Sequence, residues 1–95
     1  MYYDKRLYKL LGYRKSTRKG KMYDAILHNK LTNRLVHVPF GSSDYENYRD
    51  KTGLNLYPHL IHGNKKRRIN YKKRHQKDIV DGFYSPGWFS MYILW

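Results

Sequence analysis

The chain has 95 residues, 20 Lys/Arg against 7 Asp/Glu for a formal net charge of +13, and no cysteine. A length like this makes one domain near the lower limit for a self-sufficient core, with room for only a small cleft. The lack of cysteine excludes disulfides and thiolate metal sites, and no apolar run approaches the roughly 20 residues of a membrane span or the h-region of a signal peptide, so the chain reads as soluble with no membrane partner.

The charge is unevenly spread. Residues 1–21 hold eight Lys/Arg against Asp4, residues 65–81 hold eight against Asp78 and Asp81, and residues 22–64 sum to zero. Two such blocks repel themselves and each other, which calls for a polyanionic partner, either nucleic acid or an acidic protein surface.

In chain order, residues 1–20 read as an extended basic arm, with a short helix through Leu7, Leu10 and Leu11 that breaks at Gly12. Tyr2, Tyr3, Tyr8 and Tyr13 alternate with cations there, a pattern that suits nucleic acid because cations follow phosphates while rings stack on bases. The competing reading packs Tyr8 and the leucines on the domain and leaves the cations in water. Residues 21–95 form the domain. Lys21–His28 and Arg34–Phe40 are β-like around a turn at Asn29–Asn33, a hairpin signal. Val36, Val38 and Phe40 share one face of the second strand and Leu35, His37 and Pro39 the other, and Pro39 makes it an edge strand. Gly41–Gly53 is polar and turn-rich, and Leu54–Asn64 is a loop on the core with a short helical turn. Lys65–Lys77 predicts a helix with Asn64 as N-cap. Its Ile69 and Tyr71 point in opposite directions, so no buried stripe of its own holds it and most of its surface faces water or an anion.

The last fourteen residues, Gly82–Trp95, are uncharged and include Phe83, Tyr84, Trp88, Phe89, Tyr92 and Trp95. Ser85 is the expected N-cap and Pro86 the first residue of a terminal helix. Regular helical spacing puts Trp88, Met91, Tyr92 and Trp95 on one face, with Phe89 and Ile93 off it. The six rings are the expected hydrophobic anchor, packed as a core plug or presented as a docking peptide.

Tyr23-Asp24-Ala25, Phe40-Gly41, Asp44-Tyr45, Asp50-Lys51, Arg67-Arg68 with Tyr71, Arg74-His75, Ser85-Pro86-Gly87, Ser90 and Leu94-Trp95 follow one another in that order. The series resembles a small-protein family encoded by large DNA viruses of algae and protists, with relatives in some phages. The match runs over roughly residues 21–95 and departs from the pattern in an additional segment, Thr52–Asn64. That family brings no activity; the resemblance implies a virus-encoded protein carried in the particle.

Catalytic and metal chemistry find little support. His59-x-x-His62 with His75 lacks the remaining ligands of a zinc site, and Pro58 and Gly63 oppose a regular helix there. A small nuclease built on Asp24 with His28 or His37 lacks a second carboxylate cluster. The expectation is therefore an α+β domain: a hairpin or small sheet packed by a short aromatic C-terminal helix, plus a basic helix and a basic arm. It has no cofactor, metal or small-molecule substrate. Its expected role is that of a non-enzymatic virion protein of minor-capsid or cement type, localised in the particle. Arg14, Lys15, Arg18, Lys19, Lys65, Lys66, Arg67, Arg68, Lys72, Lys73 and Arg74 contact capsid protein or packaged genome. Non-specific DNA or RNA binding is the alternative.

Overall fold

The computed structural model describes residues 3–76 and 83–95, so the readings that concern Tyr2, residues 77–81 and Gly82 lie outside it. Three antiparallel strands, β1 (Tyr8–Lys15), β2 (Lys21–Asn29) and β3 (Leu35–Ser42), form a sheet in the order β1-β2-β3. Helix α1 (Lys65–His75) and a terminal segment starting with α2 (Pro86–Phe89) complete an α+β domain. The β2–β3 hairpin stands where the sequence predicts it. Its turn is set by Asn29, whose carboxamide oxygen accepts from the Leu31 and Thr32 N–H groups at 2.9 and 3.2 Å, and by Asn33 at φ 59°, the local bonding that makes Asn a turn residue.

One face of the sheet is the core. Tyr23, Ala25 and Leu27 of β2 are opposite Phe40, Val38 and Val36 of β3, and all but Val36 are buried. As expected of alternating residues, Leu35 and His37 on the other face are exposed, and Pro39 sits on an edge strand.

The basic arm is corrected. Residues 8–15 are strand β1, neither a helix nor an extended tail, and pair along their length with β2. Leu10 pairs with Leu27 and Gly12 with Ile26, so Leu11 is an extra residue in the ladder. A bulge of this kind shifts the alternation by one, and it brings Tyr13, opposite Ala25, onto the same face as Leu10. Of the tyrosines meant for base stacking, Tyr3, Tyr8 and Tyr13 are half-buried and pack against the core. Tyr13 meets Phe40 and Phe89 edge-on at 5.8 and 6.2 Å, and Tyr3 meets Tyr8 at 5.0 Å. Burial pushes the Tyr13 phenol up to about 12, with Tyr84 adding to the shift. Before β1 the chain is also tied down. The Tyr3 N–H donates to the Phe83 carbonyl at 3.2 Å, and the Lys5 ammonium lies 4.6 Å over the Phe83 ring.

The terminal segment starts as predicted: Ser85, itself buried, accepts the Trp88 N–H at 3.1 Å, and Pro86 opens the helix. After one α-turn the chain widens into a π-helical turn, Ser90–Leu94. The face expected from regular spacing is corrected accordingly. In an α-helix residues five apart diverge, whereas i→i+5 bonding stacks them, and Phe89 and Leu94 are both completely buried. Tyr92 and Phe83 are exposed, Trp88 is half-buried, and Tyr84 and Trp95 are buried. Phe89 stacks on Phe40 at 5.2 Å and on Tyr84 at 5.6 Å. Gly41, at φ +74°, lets the segment approach β3: a Cβ there would stand 2.7 Å from Leu94 Cδ1.

The connection between β3 and α1 contains the expected short helical turn, Pro58–Leu60. Tyr57 and Leu60 pack on the core while Leu54 and Leu56 stay exposed. The buried Tyr23 organises this loop, its hydroxyl donating to Asp50 and accepting the Leu56 N–H at 3.1 Å. Burial and the Asp50 carboxylate push that phenol up to about 12.

Candidate polyanion-binding surface

α1 carries Lys65, Lys66, Arg67, Arg68, Lys72, Lys73 and Arg74, no acidic residue, and no fully buried side chain. Its N-terminus forms because Asn64 accepts the N–H groups of Lys66 and Arg67 at 3.0 and 3.1 Å. His62 supports that cap, its Nδ1 accepting the Asn64 N–H at 2.8 Å. Burial and the nearby Arg67 charge hold the His62 imidazole below its ordinary range, with Glu46 opposing the shift.

What fixes α1 to the domain is Trp95. The Tyr71 ring stacks on the Trp95 indole at 4.0 Å and 2°, and Arg68 Nε donates to the Trp95 backbone oxygen at 2.7 Å. Trp95 is held in turn by Asn47, whose side-chain oxygen accepts the indole N–H at 3.2 Å. Asn47 is buried, and its backbone bonds to Leu60 and His62. No sequence signal pointed to Asn47, which sits within a polar, turn-rich stretch. Ile69, on the far side of the helix from Tyr71, is exposed.

The cations of α1 divide between its flanks. On one flank, Arg68 lies 5.1 Å over the Tyr48 ring and neighbours Lys72. Arg49 and Lys51 join them because their backbone N–H groups donate to the Leu94 and Ile93 carbonyls at 2.9 and 3.1 Å. The Arg49 side chain also reaches the Tyr92 carbonyl at 3.3 Å. Cations at the carbonyl end of a helix are favourably placed. Burial, then Arg68, Arg49 and Lys51, push the Lys72 ammonium below its ordinary range. Arg49 and Lys51 come from the segment of zero net charge, so charge counting along the sequence missed them.

On the other flank a cleft of about 920 Å³ opens between α1, the end of β3 and the 45–47 loop. Arg67, Lys73, Arg74 and Asn70 line one wall, Tyr45 and Glu46 the other, and Tyr71 and Trp95 also border it. Arg67 meets Glu46 across it at 3.1 Å, both side chains about half exposed.

The N-terminal cations are distributed differently. Arg14 is committed: its Nε donates at 3.0 Å to Asp24, a buried carboxylate that also accepts the Ser16 hydroxyl at 2.7 Å. Each Asp24 oxygen thus accepts one of these hydrogen bonds. Lys15, Arg18 and Lys19 are exposed at the end of β1 and in the β1–β2 turn. That turn reaches the cleft's end of the sheet, since the Ser43 N–H donates to Gly20 at 3.1 Å and the neighbouring Ser42 lines the cleft. The fold thus brings Arg18 and Lys19 to the same end of the sheet as the cleft wall of α1.

The histidines considered for zinc have other neighbours. His59 is beside Tyr57, His62 against Trp95 and His75 stacked on Tyr71. Among the described residues no three His, Cys, Asp or Glu side chains gather in a metal-holding group, and no helix is long and apolar enough to cross a membrane. In comparisons with known proteins, no family model, no curated protein and no solved structure matches this chain.

Proposed function

We propose that the protein is a non-enzymatic polyanion-binding protein that lays α1 along a nucleic-acid backbone, with Arg18 and Lys19 of the β1–β2 turn and Arg49 and Lys51 extending the contact. The observation that carries this reading is α1 itself, with seven cations, no acid and no buried side chain in eleven residues. Cations at i, i+3 and i+4 destabilise such a helix, and a row of phosphates reverses that sign. Neutralising about 6 phosphates should cost roughly 10³ in affinity between 50 and 200 mM salt. Replacing Lys65, Lys66 and Lys73 by Gln should lower the slope of log K against log salt by about 0.9 for each phosphate no longer neutralised, without lowering the melting temperature. Failure to bind duplex or single strands at about 50 mM salt removes the nucleic-acid reading.

The resemblance to the viral small-protein family supplies a setting in which packaged genome or an acidic capsid surface is the polyanion and the protein is a virion component. Mass spectrometry of purified particles tests it, and absence from them rules the setting out.

A further inference from the structure

Resting on that reading, we propose that the cleft beside α1 holds single-stranded nucleic acid, with an unpaired base on the Tyr45 ring and the adjoining phosphates on Arg67 and Arg74. Tyr45 is 73% exposed, the most exposed aromatic ring among the described residues. That exposure is otherwise unexplained, since the other tyrosines among the described residues are largely drawn into ring contacts or hydrogen bonds. Tyr45 lines the same cleft, of about 920 Å³, as Arg67 and Arg74 of α1. A volume like this lies within the range of small-ligand pockets and admits a base and its sugar. Aromatic platforms beside a cationic track are how single strands are held without sequence preference.

Glu46 is the group that opposes an anion here. Its carboxylate occupies Arg67 at 3.1 Å with both partners about half exposed, and ion pairs of that kind are weak enough to exchange. An incoming phosphate takes over Arg67 from Glu46. Removing the carboxylate therefore strengthens binding.

The test uses the full chain, a labelled short oligothymidylate, and a mixed-sequence duplex of the same length, with affinities measured by fluorescence anisotropy in low salt. Tyr45→Ala should weaken the single strand about tenfold, the order expected for one base stack removed, and leave the duplex and the circular dichroism spectrum unchanged. Tyr45→Phe should retain the parent affinity, since the ring and not the hydroxyl stacks. Glu46→Gln should tighten the single strand. Unchanged single-strand affinity in Tyr45→Ala, or an equal loss on both probes, overturns the site. If the duplex still binds with the expected salt slope, the polyanion reading survives that result. Binding to neither probe defeats both.

Discussion

The sheet with its terminal plug and the helix α1 are opposite kinds of structure in one small domain. The first is built by burial: Tyr23, Phe40, Phe89 and Leu94 are completely enclosed, with Ala25, Leu27 and Val38 of β2 and β3 buried around them. The second buries nothing fully and carries seven cations, so its folding relies on Trp95 and the Asn64 cap, not on a stripe of its own. The difference teaches that charge can be displayed on a regular helix when a neighbouring core supplies one flat ring and one hydrogen-bond acceptor. It also gives the aromatic tail two tasks, closing the core through Phe89 and Leu94 and holding the helix through Trp95.

The comparison breaks first at Phe89. Truncating it to Ala should cost about 3–5 kcal/mol, as for other enclosed aromatics, and lower the midpoint of thermal or urea unfolding for the whole domain. Trp88→Ala should cost clearly less, because that ring is only half-buried. A reversed order would show that the regular helical face, and not the π-turn, describes the plug.

That reversal of Trp88 and Phe89 also marks where the sequence was legible. The hairpin, its Asn-rich turn, the edge position of Pro39, the Asn64 and Ser85 caps and the apolar poverty of α1 all follow from local chemistry, and the structure has them. Two apolar patterns were hidden by the same device. Leu11 inserts one residue into the β1 ladder, so Tyr8, Leu10 and Tyr13 share a face without a period of two. The π-turn widens the terminal helix, so Phe89 and Leu94 share a face without the period of about 3.6 that a regular helix has. Each insertion moves the apolar residues out of phase with the template used to find them. The candidate surface was half legible: the α1 cations were named, while Asn47, Arg49 and Lys51 belong to it through long-range backbone bonds that no local pattern encodes.

A second, smaller effect is expected at the joint between the two regions. Asn47→Ala leaves the Trp95 indole N–H without its acceptor, a loss of about 1–3 kcal/mol for a buried unsatisfied donor, seen as a lower unfolding midpoint. Tyr71→Ala removes the stack on Trp95 and should cost about 1 kcal/mol. Its signature is local: amides of α1 exchange faster while those of β2 keep their protection. Equal acceleration in both regions would mean that the helix and the core unfold as one unit.

The smallest effect concerns His62, which bonds to the α1 cap as a neutral acceptor. Its folded-state pKa is depressed below 6.5, so the unfolded chain takes up the proton first as pH falls. Its contribution to stability is complete above about pH 6.5 and is lost as pH drops through the depressed value. Melting temperatures between about pH 7 and 5 should therefore fall more steeply in the parent than in His62→Gln. Parallel slopes would remove His62 from the cap.

The division of labour itself is most directly tested by hydrogen–deuterium exchange of the full chain with and without a saturating short DNA duplex. The expected result is slowed exchange confined to α1, the β1–β2 turn and the segment around Arg49, over unchanged protection in β2, β3 and the terminal turn. Slowing centred on the sheet with α1 unaffected would contradict the account, because the anion would then be held by the region that burial built and not by the helix it displays.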